Sequence, residues 1–312
     1  MKSSFCLAST IGDGRVVGAR GNEVAETFLF EESDKFVRAN YRYPVMRVNV
    51  TVLRGMLAAW LVVVVLAGCS SAWTDNADVE RLFLEADVAG TFVLLDTSTG
   101  KLSGYNRSRA EKRFVPASTF KIPNSVIGLA VGAVQSVDEV LPYGGQPQTF
   151  ESWERDMPLR EAITLSNVPV YQGLARRIGM ERMRDHVASL DFGNNEIGSR
   201  VDRFWLDGPL EISAIEQAGF LSRLVRDQLP VPTEVQSAVR DILLLEQGDG
   251  WSLYGKTGWE NAPGPGVGWW VGWVEKDGKL FTFAMNMDIH QVSDAGKRIE
   301  LSKASLKALG VL

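Results

Sequence analysis

The chain has 312 residues, of which 45% are hydrophobic and 23% charged, an ordinary globular composition with enough apolar material for a sizeable core. Its 38 acidic and 33 basic residues leave a net charge of -5. With no clustered basic stripe, nothing in the charge pattern points to nucleic-acid binding.

The amino-terminal region does not read as part of the fold. Met56 to Gly68 is an almost uninterrupted apolar run preceded by Arg47 and Arg54. It is shorter than the roughly 20 residues a membrane span needs. Its basic, apolar and small-residue zones follow the layout of a secretory signal. The run ends in Leu66-Ala67-Gly68-Cys69, which resembles a bacterial lipobox, where the cysteine is acylated and becomes the new amino terminus. An ordinary signal cut near Ala72 competes with this, because Ser70-Ser71-Ala72 also offers small residues. A signal normally opens a chain, so Met46 is expected to be the start and residues 1–45 an upstream extension, with a genuine disordered leader as the alternative. The expected organisation is residues 1–45 as extension, 46–68 as signal and 69–312 as an exported, periplasmic domain. That domain would touch the membrane only through acyl chains on Cys69. Cys6 and Cys69 are the chain's two cysteines, so the mature part is expected to have no disulfide even in an oxidising compartment.

Along the mature chain, Val79 to Ala86 reads as a short helix. Thr91 to Asp96 and Lys101 to Tyr105 read as strands joined by the turn Thr97-Ser98-Thr99-Gly100. Phe120 to Val134 reads as a buried helix, with Ser118 at its start and Pro123 in its first turn, where proline is tolerated. Leu159 to Gly198 is mostly helical, and Glu211 to Arg226 and Thr233 to Leu245 are two further amphipathic helices. Ser252 to Lys256, Gly268 to Glu275 and Lys279 to Met287 read as strands, the last two joined by the hairpin turn Lys276-Asp277-Gly278. Ala295 to Leu309 closes the chain as a helix. Strands first and last with helices between predict an antiparallel sheet closed by both ends of the domain, with an inserted helical region.

Three short motifs follow one another in this framework: Ser118-Thr119-Phe120-Lys121, Ser166-Asn167-Val168 and Lys256-Thr257-Gly258. A serine with a lysine three residues later puts a hydroxyl and an amine on one helical face. The hydroxyl is a poor nucleophile at neutral pH, and a nearby amine-derived base activates it. The tetrad alone says little, since Ser98-Thr99-Gly100-Lys101 fits the same pattern inside a turn, and Ser118 also suits a plain helix cap. An ammonium cannot accept a proton, so Lys121 needs an apolar setting that lowers its pKa; Phe120, Val168 and Trp205 are candidates to supply it. Trp205 carries a donor-only N–H and otherwise reads as core packing. Gly258 on a strand permits close approach to the backbone. His186 and His290 stand in no metal-ligand cluster, so neither a zinc hydrolase nor a Ser-His-Asp triad is supported.

The ordered set of three resembles the signature of serine β-lactamases and penicillin-binding proteins. Its version resembles class D, the oxacillinases, because the middle element is Ser-Asn-Val and the first is Ser-Thr-Phe-Lys. The resemblance runs from about Thr91 to Leu309 and includes Phe192-Gly193-Asn194, the Trp205 segment and Ile212-Ser213-Ala214-Ile215-Glu216-Gln217. It implies an α/β (α+β) transpeptidase-like fold, an antiparallel sheet flanked by helices plus an all-α region, with the site in the cleft between. It also implies hydrolysis of β-lactams through an acyl-enzyme on Ser118. Lys121 would be N-carboxylated by carbon dioxide (N6-carboxylysine) and act as general base, with Trp205 holding a carbamate oxygen. Ser166 would relay a proton to the leaving nitrogen, and Val168, which replaces the polar third residue of class A, would help keep the lysine neutral. Lys256, Thr257 and Arg298 would receive the substrate carboxylate, with Lys297 as a rival for Arg298. The oxyanion hole would use the backbone N–H groups of Ser118 and Trp259. Phe192 departs from the usual tyrosine. No metal or organic cofactor is implied beyond carbon dioxide. A penicillin-binding protein or D-Ala-D-Ala peptidase, or a β-lactam-sensing domain, would share the acylation chemistry but deacylate slowly.

Overall fold

A computed structural model describes residues 73–260 and 264–312. The expected extension, the signal and Cys69 lie outside them. The framework is a seven-stranded sheet in the order β1-β3-β2-β9-β8-β7-β6, built from β1 (Trp73–Asp75), β2 (Gly90–Asp96), β3 (Leu102–Tyr105), β6 (Leu244–Gly248), β7 (Trp251–Trp259), β8 (Gly266–Lys276) and β9 (Lys279–Ile289). All pairings are antiparallel except β1 with β3. The short strands β4 (Val140–Leu141) and β5 (Met157–Pro158) form a separate ladder. The β8–β9 hairpin turns at Asp277-Gly278, both at positive φ (49° and 73°), as a two-residue turn of this hand requires.

Alternation along the strands divides the core between the two faces of the sheet. Trp269, Val271 and Trp273 of β8 join the larger cluster on the helical side, whereas Trp270 and Val274 join the smaller one. The smaller cluster is closed by α1 (Ala77–Glu85) and the terminal helix α9 (Lys297–Ala308), through Val79, Phe83, Leu301 and Leu306. The larger one is built on α3 (Lys121–Ala130), α5 (Val168–Ile178), α6 (Met180–Ser189), α7 (Ala214–Val225) and α8 (Thr233–Asp241). The remaining helices are α2 (Arg107–Glu111) and α4 (Leu159–Thr164). On α3, Gly128 lets α5 approach so closely that a Cβ would come within 2.9 Å of Leu174.

Two sequence readings shift. The helix expected over Thr233–Leu245 stops at Asp241, and Leu244 and Leu245 open β6 instead. A short apolar run such as Ile242 to Leu245 fits either structure by periodicity, and pairing of β6 with Trp251–Tyr254 decides it here. The expected helix from Phe120 begins as a 3₁₀ turn, Ala117–Phe120, and continues as α3 only to Ala130.

Candidate active site

The first motif lies where the 3₁₀ turn runs into α3. Ser118 is half-buried in that turn, and Lys121 opens the helix with its side chain 1% exposed. Their three-residue spacing brings Lys121 Nζ to 2.8 Å from Ser118 Oγ. Around the pair the walls are apolar and aromatic. Phe120 stacks on Trp205 at 5.3 Å and meets Phe204 and Phe192 edge-on. The Tyr171 ring lies 5.4 Å from Lys121 Nζ, and its hydroxyl is 2.9 Å from Ser125 Oγ, which donates to the Lys121 carbonyl. Burial holds the Lys121 amine well below the usual lysine range, and the positive charge of Lys256 lowers it further. Among the described residues no carboxylate forms an ion pair with Lys121. The indole N–H of Trp205, fully buried, has no hydrogen-bond partner among the described residues. A buried donor left unpaired is costly, and it marks a place where an acceptor belongs.

Ser166 sits between α4 and α5 at φ 54°, a left-handed conformation that costs a non-glycine residue about 1 kcal/mol or more. Asn167 locks the position, accepting from Val170 N at 3.0 Å as the cap of α5 and donating to Trp153 O at 3.3 Å. Val168, half-buried, is the first residue of α5.

The third motif runs along β7. β6 pairs only with the first half of this strand, so Lys256 to Trp259 lie on the open edge of the sheet. Lys256, 5% exposed, donates from Nζ to Ser166 Oγ at 3.0 Å and to the Thr257 carbonyl at 2.9 Å. Burial, and then the charge of Arg298, push its pKa down to about 7. Gly258 is where the Ser118 turn rests on the sheet. A Cβ there would lie 2.9 Å from Pro116 O and 3.0 Å from Thr119 Cγ2. Arg298, in the first turn of α9, donates to Gly258 O and to Ala295 O, while its neighbour Lys297 pairs with Asp294 at 3.2 Å. Of the two basic residues, Arg298 is therefore the one set at the strand edge.

The structure thus gathers Ser118, Lys121, Ser166, Lys256, Gly258 and Arg298 around one cleft, with Thr257 and Trp259 on the same strand and Trp205 behind Phe120. His186 is apart from it on α6, with Nδ1 2.9 Å from Arg182 O. Among the described residues no His, Cys, Asp and Glu group is arranged to hold a metal ion. Sequence reading passed over Tyr171 and Ser125 beneath the lysine. Tyr171 follows Ser166 closely on α5, but only the packing of α3 on α5 shows that it faces the amine. Phe192 is fully buried and packs edge-on against Phe120 and Phe220.

This fold is that of the transpeptidases: the family model of the penicillin binding protein transpeptidase domain matches residues 90–307. Relatives narrow the class. The chain is 36% identical over 260 residues to β-lactamase OXA-10 of Pseudomonas aeruginosa, covering 82% of this chain and 98% of that one. It is 40% identical over 235 residues to OXA-48 of Klebsiella pneumoniae, covering 75% and 89%. The crystal structure of FUS-1 (OXA-85), a class D β-lactamase from Fusobacterium nucleatum subsp. polymorphum, superposes with a TM-score of 0.74 at 42% identity, over 77% of this chain and all of that one. The chain belongs to the class D β-lactamases and is a serine enzyme that hydrolyses β-lactams.

Proposed function

We propose that Ser118 attacks the lactam carbonyl and carries the acyl-enzyme, and that Lys121, N-carboxylated by carbon dioxide, is the general base. The observation that carries this reading is a buried lysine 2.8 Å from the serine hydroxyl, with no counter-ion among the described residues, beside an aromatic cluster whose Trp205 N–H has no partner among them either. An amine kept neutral by burial is the form that reacts with carbon dioxide, and the Trp205 N–H is a donor suited to hold the product. When bound, carbon dioxide supplies a carboxylate-type base in place of the amine. The pocket formed by Phe120, Trp205 and Tyr171 shields that position from bulk water, where a carbamate is lost on protonation.

The other residues divide the work around this pair. Ser118 and Trp259 offer their backbone N–H groups to the oxygen that becomes negative when the serine adds. Ser166, held at positive φ with its hydroxyl on Lys256, passes a proton to the nitrogen released when the ring opens. Val168 closes the apolar side of that corner. Lys256, Thr257 and Arg298 take the substrate carboxylate, the guanidinium having two donors for two oxygens. Gly258 has no side chain to push the Ser118 turn away from the strand, and so keeps the two oxyanion donors close.

Purified residues 70–312, assayed with a penicillin and nitrocefin with and without bicarbonate, test this reading. It expects many turnovers per enzyme, stimulated by bicarbonate after its depletion, and a mass adduct of a slow β-lactam on the Ser118 peptide. An adduct elsewhere, or a single turnover ending in a stable acyl-enzyme, contradicts it. We also propose that residues 46–68 direct export and that Cys69 is lipidated, on the strength of the Leu-Ala-Gly-Cys ending of an apolar run.

A further inference from the structure

The segment Ile212–Gln217 has no part in the chemistry above, yet it fastens the stretch that carries Ser118. Ile212 and Phe114 exchange both backbone hydrogen bonds, at 2.9 and 3.0 Å. Glu216, which caps α7 in a reciprocal box with Ser213, also pairs with Arg113. Gln217, 1% exposed, donates from Nε2 to Thr119 Oγ1 at 2.8 Å, and Thr119 Oγ1 donates to Pro116 O at 2.8 Å. A chain of amide, hydroxyl and carbonyl thus closes the turn from within. The sheet holds its other side, where Trp269 Nε1 donates to Val115 O at 2.9 Å and Pro116 O faces Gly258. Between these anchors Ala117 is kept at φ 48°, a conformation an alanine does not choose freely.

We infer that Gln217 is a positioning residue for β-lactam hydrolysis: through Thr119 it holds the Pro116–Ser118 turn against Gly258 and so sets the separation of the Ser118 and Trp259 backbone N–H groups. The inference rests on the reading of Ser118 as nucleophile and of these two groups as the oxyanion donors. Stabilisation by such donors depends on their being fixed in advance at hydrogen-bond distance from the developing charge. Gln217 is sealed behind the turn, so its effect reaches the reaction only through Thr119. Without the amide, the Thr119 hydroxyl loses its buried donor, and the left-handed Ala117 is free to relax and carry the Ser118 N–H away from Gly258.

The test compares wild type with Gln217→Met, Thr119→Val, Thr119→Ser and the Gln217→Met/Thr119→Val double variant. Four quantities are read: the acylation rate with a penicillin, affinity for a boronic acid that adds to the serine as a tetrahedral anion, half-saturating bicarbonate, and melting temperature. Gln217→Met and Thr119→Val should each lower acylation and boronic-acid affinity together, by about tenfold, the scale of one buried hydrogen bond. The double variant should fall no further than the worse single one, because both break one chain. Thr119→Ser, which keeps the hydroxyl, should stay close to wild type, and half-saturating bicarbonate should not move. Folded variants that lose melting temperature but acylate and bind the boronic acid like wild type overturn the inference, as do single effects that simply multiply in the double variant. Should Gln217→Met fail to fold, the contrast between Thr119→Val and Thr119→Ser decides the matter in the same way. Ser118→Ala keeps the two claims apart. Turnover surviving that change removes the nucleophile reading itself, whereas its loss beside unaffected Gln217 and Thr119 variants removes only the positioning role.

Discussion

Lys256 on β7 and Ser166 between α4 and α5 meet with Nζ 3.0 Å from Oγ, joining the sheet edge to the helical layer across the cleft. Each is held at some cost: the lysine is buried beside the charge of Arg298, and the serine stands at positive φ. Strain of this kind persists where the surroundings over-determine it, and it gathers at functional sites.

The first prediction concerns pH. Lys256 must be an ammonium to hold a carboxylate, and its pKa is pushed down to about 7 by burial and by Arg298. kcat/KM, which reports the free enzyme, should therefore fall as pH rises through about 7. Arg298→Ala removes the positive neighbour, so this basic limb should move to higher pH while KM for carboxylate-bearing substrates rises about tenfold or more. A limb that stays in place in Arg298→Ala contradicts the coupling. The shift also has a stability sign. The folded pKa lies below that of the unfolded chain, so the unfolded chain binds more protons from about pH 7 up to the ordinary lysine range. Across that window this group makes the fold more stable as pH rises, which thermal melts of wild type against Lys256→Met would register.

Trp205→Phe keeps the ring stacked on Phe120 and removes the indole N–H. Losing one buried donor costs about 1–3 kcal/mol, so half-saturating bicarbonate should rise roughly tenfold or more, with activity restored at high bicarbonate. Unchanged bicarbonate dependence would mean that Trp205 acts only by packing.

Gly258→Ala places a Cβ 2.9 Å from Pro116 O and 3.2 Å from Trp269 Cβ. The Ser118 turn must shift to make room. Overpacking of this sort costs about 1–3 kcal/mol in stability, and acylation should slow more than binding weakens. Wild-type acylation in this variant would show that the turn does not depend on its seat against the strand.

Cys69→Ala should release the protein from membranes or block its processing, measured by fractionation and radiolabelled palmitate. A soluble periplasmic wild type with its amino terminus near Trp73 contradicts lipidation.

The site was more legible than the sheet edge. Ser118 and Lys121 stand out from the decoy Ser98-Thr99-Gly100-Lys101 because Ser166-Asn167-Val168 and Lys256-Thr257-Gly258 follow in order, and their i to i+3 spacing on a helical turn then dictates proximity. Lys276-Asp277-Gly278 likewise announces its hairpin through local turn chemistry. The run Ile242 to Leu245 does not, because helix and strand bury it equally well and only pairing with Trp251–Tyr254 settles it. Tyr171 and Gln217 were hidden for a related reason. Their roles come from helices α5 and α7 packing around α3 and the Ser118 turn, contacts that no local periodicity encodes. Phe192 read as a departure from the family pattern, and its place in the aromatic cluster with Phe120 and Phe220 shows that its ring packs there without the hydroxyl.

The most direct test of the account is carbon-13 bicarbonate NMR of the active enzyme, with turnover followed in the same samples as bicarbonate is withdrawn and restored. The account predicts a carbamate resonance in wild type that is absent in Lys121→Ala, fades in parallel with activity as pH falls, and returns with both on adding bicarbonate. An active wild type that shows no such resonance and ignores bicarbonate depletion would contradict it, and another group would have to be the base beside Ser118.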